Sequence, residues 1–277
     1  MEHQNDPKDF TLENPGEQKV LNLYNQGLRE LPTSVWNASQ LEVLNVGNNE
    51  LSALPDTLGN LKNLRMLDLG HNKFVSIPAT IGKLTKLHFL YLSDNGFDSV
   101  PASITKLKEL QYLNITDNQL ITFPDGITKL SKLIELRLYN NQIVSLPHSI
   151  GNLKNLRELY LMKNQLTTLP KSIGKLKNLK KLMLENNQIE SLPESFGYVT
   201  SLTDLNLRFN HLASLPNSIG RLKNLRFLDL RANRLSALPQ NLSKLRKLEK
   251  LDLRWNQFQT VPAWIRQLEK RGCIVYL

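Results

Sequence analysis

Leucine positions recur along this chain with a fixed period of 23 residues. The clearest copy begins at Leu156 and reads LRELYLMKNQLTTLPKSIGKLKN, and the next begins at Leu179 with no residue gained or lost. Inward and outward positions alternate through Leu159, Tyr160 and Leu161, which predicts a short strand in each copy. A fixed period of this length predicts a solenoid, in which each repeat packs only on its neighbours.

An asparagine and a proline keep the same step through the chain. The asparagine recurs from Asn49 to Asn256, and the proline recurs from Pro32 to Pro262. We expect the asparagine to turn the chain after the strand and to bond the backbone of its own turn and of the next one. The Leu-Pro step forces an extended backbone before the proline. The short Ile-Gly-x-Leu segment that follows predicts helical turns on the outer side.

The repeat, written LxxLxLxxNxLxxLPxxIGxLxx, resembles the leucine-rich-repeat family in the 23-residue form of intracellular Ras-group and many bacterial members. The resemblance covers about residues 18–277. It implies an α/β fold, a right-handed solenoid or horseshoe with a parallel β-sheet on the concave face and short helical turns on the convex face. The repeated residues are structural, so the resemblance says more about fold than about function.

The period predicts one elongated stack without an interior linker. We expect three segments, namely 1–17 as an N-terminal cap or a disordered tail, 18–270 as eleven repeats, and 271–277 as a C-terminal half repeat and cap. In the half repeat, the period places Ile274 and Tyr276 in phase as a last strand and turns Cys273 outward.

Composition narrows the class of protein. The chain has 277 residues, a net charge of +10 and one cysteine, which excludes a disulfide within the chain. Its start lacks the basic and apolar regions of a secretory signal, and no apolar stretch approaches the roughly 20 residues that span a bilayer. We therefore expect a cytoplasmic protein, or a secreted one if a signal has been removed.

Motifs of catalysis are missing from the sequence. It contains no phosphate-binding loop, no dinucleotide fingerprint, no HExxH and no nucleophile elbow. His71, Asp94 and Asp117 share one column of the pattern, and we interpret them as solvated positions, since no supporting cluster accompanies them. We expect no enzyme activity, no cofactor, no metal and no small-molecule substrate.

A first candidate binding surface consists of aromatic and methionine side chains at outward strand positions. Such clusters are unusual on an inert surface, and tyrosine is well suited to interfaces. The alternative is that the side chains only stack along the ladder and stiffen it. The residues are Met66, Phe89, Tyr91, Tyr112, Tyr139, Tyr160, Met162 and Met183.

A second candidate surface is charged. One column holds Arg208, Arg231 and Arg254, and the next holds Asp229 and Asp252. One interpretation is a self-paired network that contributes little to stability. The other is an arginine and aromatic patch that recognises an acidic partner. Further members of this patch are Asp204, Phe209, Phe227 and Trp255.

Basic residues also line one edge of the stack, just before the strands. A solvated edge that keeps a long protein soluble is the simpler interpretation, and salt-sensitive binding of nucleic acid or an anionic surface is the other. The residues are Lys62, Lys83, Lys86, Lys106, Lys108, Lys129, Lys132, Lys154, Lys175, Lys177, Arg221, Lys223, Lys244, Arg246 and Lys247.

The pattern favours a monomeric, non-catalytic scaffold or signalling module that binds a partner protein on its concave sheet, because a preformed surface avoids the ordering cost of binding. Two alternatives remain open. One is an electrostatic binder of nucleic acid or an anionic membrane through the basic edge, and nucleic acid is the less favoured partner. The other is a structural or secreted host-interacting protein, as some bacterial family members are.

Overall fold

The structure, a computed structural model, describes residues 17–277. The chain divides into two compact units, Met1–Leu120 and Ile121–Leu277, called here the N-terminal and C-terminal units. The expected cap or tail at 1–17 lies, apart from Glu17, outside the described residues.

Parallel strands in chain order form the sheet of the N-terminal unit. They are β1 (Val20–Asn22), β2 (Val43–Asn45), β3 (Met66–Asp68), β4 (Phe89–Tyr91) and β5 (Tyr112–Asn114). A short helix, α1 (Thr33–Asn37), follows β1. 3-10 turns follow the next strands, at Asp56–Asn60, Ala79–Lys83 and Ala102–Lys106.

The C-terminal unit repeats this arrangement, again with parallel strands in chain order. Its strands are β6 (Glu135–Arg137), β7 (Glu158–Tyr160), β8 (Lys181–Met183), β9 (Asp204–Asn206), β10 (Phe227–Asp229), β11 (Lys250–Asp252) and β12 (Ile274–Tyr276). Its 3-10 turns are Asp125–Lys129, His148–Asn152, Lys171–Lys175, Glu194–Tyr198, Asn217–Arg221 and Gln240–Lys244. Helix α2 (Ile265–Glu269) precedes the last strand.

The repeat pattern explains these elements directly. The central residue of a strand, such as Leu159, is buried, and its two flanking residues face outward. Each proline holds extended backbone and opens the following 3-10 turn. Pro147, for example, accepts a hydrogen bond from the Ile150 amide at 3.0 Å. The fold class expected from the sequence, a leucine-rich-repeat solenoid, is confirmed in each unit.

The repeated asparagines form a buried ladder. In Asn187, the side-chain amide donates to the carbonyl oxygens of Leu184 and of Leu161, both at 2.9 Å. Its side-chain oxygen accepts a hydrogen bond from the Leu166 amide at 3.0 Å. The expected bonding to the asparagine's own turn is confirmed, but the neighbouring turn is the preceding one and not the next. Leaving such buried backbone groups unpaired is costly, so the ladder fixes the spacing of the repeats.

Glycine in the Ile-Gly step is required by close packing. A Cβ atom on Gly151 would lie 2.7 Å from the carbonyl oxygen of Ser172, in the following turn. Non-bonded contacts of that length force the backbone to move. Adjacent 3-10 turns therefore approach closely only because this position carries no side chain.

The last strand differs from the sequence expectation. Val275 lies opposite Leu251, so the step between these strands is 24 residues, one more than the period. The preceding connection contains α2 and the left-handed Gly272 (φ 88°), which accommodate the extra residue. Because a one-residue shift reverses the two faces, Ile274 and Tyr276 are exposed and Cys273 is buried. The expected last strand is therefore present at Ile274–Tyr276, but the expected phase of Ile274 and Tyr276 and the expected outward position of Cys273 were wrong.

A candidate protein-binding surface

The residue before each ladder asparagine, and the corresponding Asn25 of the first repeat, has a left-handed backbone, with φ between 51° and 60°. Asn, Asp and His tolerate this conformation best, while bulky residues adopt it rarely. The column consists of Asn25, Asn48, His71, Asp94, Asp117, Asn140, Lys163, Asn186, Phe209, Ala232 and Trp255. The aromatic residues in the C-terminal unit therefore occupy a position that disfavours them.

These two aromatic side chains also contribute little to the core. Phe209 is 43% exposed and Trp255 is 65% exposed. Their ring centroids lie 6.2 Å apart, although the residues belong to alternate repeats. Ala232 stands between them in the column and is small enough to leave room for this contact. Such an exposed ring pair on strained backbone adds little to stability. A role in binding therefore explains its presence better.

The aspartates beside the arginine column already bind two of the arginines. Arg231 donates to Asp229 at 2.6 Å, and Arg254 donates to Asp252 at 2.7 Å. Asp252 is 1% exposed and also lies 3.3 Å from Arg231. Burial pushes the pKa of Asp252 upward, but the hydrogen bonds from Arg254 and the positive charge of Arg231 outweigh it and hold the pKa below its usual range. The Nε and Nη2 groups of both guanidinium groups are thus engaged within the protein.

The third arginine of the column is held differently. Arg208 lies 3.7 Å from Glu185. The Nε atom of Arg208 and the Oε2 atom of Glu185 are buried without a hydrogen-bond partner. Burial raises the pKa of the Glu185 carboxyl. This pair is under-satisfied, in contrast to the pairs formed by the other two arginines.

A depression of about 240 Å3 opens on the outward face of strands β8 to β11. Phe227, which is 38% exposed, lies at its wall. Asp204 also faces it and accepts a hydrogen bond from the Thr203 hydroxyl at 2.6 Å. The outward side chains that line the depression are Met183, Asp204, Asn206, Phe227, Asp229, Lys250 and Asp252. The structure therefore brings Met183 from the first candidate surface together with residues from the second.

Tyr276 is a further aromatic residue on this face, and sequence reasoning assigned it to the core phase. It is 38% exposed. The Arg254 guanidinium lies 4.8 Å from its ring centroid, and the Lys250 ammonium lies 5.2 Å away. Gly272, which follows α2, is a signal in the sequence that points to the changed register.

In the N-terminal unit, aromatic residues of the first candidate surface form a cluster. The rings of Tyr91 and Tyr112 lie 4.9 Å apart, and both residues are half-buried. Phe89 is 41% exposed and pairs in register with Met66 on one side and Tyr112 on the other. This cluster fits both interpretations made from the sequence, stacking along the ladder and partner binding.

The other members of the first surface lie in the C-terminal unit and are half-buried: Tyr139, Tyr160, Met162 and Met183. The Tyr160 hydroxyl donates to Glu158 at 2.5 Å, and the Arg137 guanidinium lies 4.9 Å from the Tyr160 ring centroid. Burial, followed by the hydrogen bond to Glu158, raises the pKa of Tyr160. This tyrosine is therefore fixed by its own strand neighbours.

Among the residues that the structure describes, a metal site, a membrane-spanning helix and a reactive thiol find no support. Between residues 17 and 277, no three His, Cys, Asp or Glu side chains are placed to hold a metal ion. In the same range, no helix has the length and apolar character needed to cross a membrane. Burial, together with the charge of Glu269, raises the pKa of the Cys273 thiol to about 11, so it is protonated at neutral pH.

Solved structures show the same fold. A leucine-rich-repeat protein of Leptospira interrogans is 32% identical, with a TM-score of 0.77, covering 95% of this chain and 73% of that one. The plant peptide hormone receptor RGFR1, solved in complex with RGF2, is 31% identical, with a TM-score of 0.74, covering 89% and 45%. A chain in the octameric complex of latrophilin 3, Unc5D and FLRT2 is 26% identical, with a TM-score of 0.80, covering 96% and 86%.

Comparison with sequence families gives the same result. No curated protein sequence matches the chain. The family described as leucine-rich repeat region matches residues 56–159 and 135–214, more than half of the chain. The family described as leucine rich repeat matches residues 19–74 and 200–258. The chain therefore belongs to the leucine-rich-repeat family.

Proposed function

We infer that the protein is a non-catalytic interaction module that binds a partner protein on the outward sheet face of its C-terminal unit. The observation that carries this proposal is the exposed ring pair of Phe209 and Trp255 on left-handed backbone. An aromatic residue in that conformation costs about 1 kcal/mol or more relative to asparagine. Because the rings are exposed, the fold recovers only part of this cost, and partner binding supplies a reason for keeping them.

Several structural relatives support a protein-binding role. The plant receptor was solved in complex with RGF2, and the second similar chain belongs to an octameric complex of latrophilin 3, Unc5D and FLRT2. In both cases the fold participates in a complex. A rigid parallel sheet loses little conformational freedom on binding, which favours this use.

The contacts on this face also indicate the chemistry of the partner. Since Asp229 and Asp252 already bind Arg231 and Arg254, recognition of an acidic partner by these guanidinium groups would have to compete with internal pairs. Phe209, Phe227 and Trp255, together with the depression beside Phe227, remain available. We therefore propose a partner that inserts apolar side chains, with the arginine column forming the polar rim.

The Tyr91 and Tyr112 cluster is proposed as a second contact surface, in the N-terminal unit. Tyr160, whose hydroxyl is bound by Glu158, would contribute ring surface only. A monomeric state in the cytoplasm, or outside the cell if a signal is removed, stays a prediction.

The test is quantitative affinity capture from the cells that produce the protein. The bait proteins are the wild type, a double variant Phe209→Asn with Trp255→Asn, and the control Lys163→Asn, which introduces the same residue in the same column outside the ring pair. We expect one or more proteins to be retained by the wild type and the control and lost from the double variant. Equal retention by all three baits would show that the ring pair is not the binding site.

A further inference from the structure

A basic cleft lies at the C-terminal end of the C-terminal unit, apart from the sheet face. Its volume is about 640 Å3. It is formed by the end of the 3-10 turn Gln240–Lys244, the residues that connect this turn to β11, the segment after α2, and Lys223, which follows the 3-10 turn of the preceding repeat. The lining residues are Lys223, Ser243, Lys244, Arg246, Lys247 and Arg271.

All the charged side chains that line this basic cleft are positive. Five of its six lining residues are cationic, and none is acidic. Between residues 17 and 277, none of these five cations forms an ion pair with a carboxylate, whereas nearby Arg226 is bound by Glu249 at 2.6 Å. Like charges around one concavity repel each other, and burial of the space between them would strengthen the repulsion. A bound anion would relieve it.

Two of the cations are held in place by neutral groups. The Lys247 ammonium donates to the Asn224 side-chain oxygen at 2.8 Å, and the Asn224 amide donates to the Thr200 carbonyl oxygen at 2.9 Å. The Arg271 guanidinium donates to the Ser243 carbonyl oxygen at 2.9 Å. Neutral acceptors fix the position of each charge without cancelling it. Part of the ordering cost of binding an anion is therefore already met by the fold.

We propose that this basic cleft binds a small, soluble anion that carries several phosphate groups. Its volume falls in the range of about 300–1,000 Å3 that is typical of small-ligand sites. Lysine acts as a point charge toward phosphate, and arginine offers paired donors, so the lining combines both modes of recognition. A bilayer or a nucleic-acid duplex presents phosphates over a wide surface, and a flat or extended basic surface would match that arrangement. Cations gathered around a cleft match a small anion better.

Arg271 is the contribution that the repeat pattern does not predict. It lies beyond the basic edge identified in the sequence, in the irregular segment that follows α2. The connection between the last two strands has one residue more than the period. Within it, the Arg271 guanidinium reaches the carbonyl oxygen of Ser243. The cleft thus includes a cationic residue that belongs to the end of the stack and not to the repeat.

The experiment is isothermal titration calorimetry of the full chain with inorganic tripolyphosphate at moderate salt. The test variant is Lys244→Glu with Arg246→Glu. The matched control is Lys154→Glu with Lys175→Glu, which makes the same charge change on the same edge outside the cleft. We expect one tripolyphosphate per chain, a loss of affinity of at least tenfold in the test variant, and a change of less than threefold in the control.

Three outcomes would overturn the proposal. The first is no binding to the wild type, and the second is an equal loss in both variants, which would indicate diffuse attraction. The third is tighter binding of anionic phosphatidylserine vesicles or of a short DNA duplex than of tripolyphosphate, with both variants weakened alike. None of these results bears on partner binding at Phe209 and Trp255, so the two proposals succeed or fail separately.

Discussion

The left-handed backbone at Phe209 and Trp255 leads to a prediction that separates stability from binding. We compare two double variants, one with alanine at both positions and one with asparagine at both. Each variant removes the ring pair, whose centroids lie 6.2 Å apart, and each removes the contact between Arg254 and the Trp255 ring. The difference between the variants therefore reports on how well each residue fits the left-handed position.

The magnitude follows from the observed angles. Phe209 has φ 54° and Trp255 has φ 60°. Left-handed backbone costs an ordinary L-residue about 1–2 kcal/mol, and asparagine adopts it more readily. We expect asparagine to be more stable than alanine by about 1 kcal/mol at each position, or about 2 kcal/mol for the pair. For a chain of this size, that corresponds to a melting temperature about 5 °C higher.

The assay is thermal unfolding followed by circular dichroism, together with binding of the captured partner. Both double variants should lose at least tenfold in affinity, because both lack the rings. Lys163→Asn, at the left-handed position two repeats before Phe209, should raise the melting temperature by about 2 °C and leave binding unchanged. If the alanine and asparagine variants melt together, the backbone at these positions carries no appreciable cost, and the inference from strain to function fails.

Three further predictions concern the fold. Asn187→Leu should lower the free energy of unfolding by about 1–3 kcal/mol in denaturant titrations, because it leaves buried backbone groups unpaired; an unchanged midpoint would contradict the ladder. Gly151→Ala should cost about 1–3 kcal/mol, measured in the same way, whereas Asn152→Ala at the exposed end of that turn should be nearly neutral. Asp252→Asn should cost about 2 kcal/mol at pH 7. Because the folded pKa of Asp252 lies below its unfolded value of about 3.9, this stabilisation is complete above that value and disappears as the pH falls through the folded pKa. A difference from wild type that does not shrink as the pH is lowered below that value would contradict this account.

Much of the fold follows from the repeat period. A strand with a buried central leucine, a proline before each 3-10 turn and a buried asparagine are local consequences of residues that recur at fixed steps. The close approach of Gly151 to Ser172 is of the same kind. The period does not predict the orientation of the last strand, because one added residue changes which side of the sheet each side chain faces. Tyr276 and Cys273 are misplaced for that reason alone.

The candidate site was predictable only in part. Hydrophobic periodicity places Phe209, Phe227 and Trp255 outside the core. It does not predict the backbone angles or the pairing of Arg231 with Asp229. The residues Asn48 and Asp94 in the same column as Trp255 are a signal of left-handed backbone that is readable from the sequence. The arginine pairs depend on side-chain rotamers, which periodicity does not determine.

The most direct test of the binding face is hydroxyl-radical footprinting of the purified complex, read by mass spectrometry. Trp255 is 65% exposed on the sheet side, and Tyr198 is 50% exposed at the end of a 3-10 turn, so both should be oxidised readily in the free protein. We predict that partner binding lowers the oxidation of Trp255 and Phe209 several-fold and leaves Tyr198 unchanged. Protection of Tyr198 with unaltered oxidation of Trp255 would contradict the proposed face.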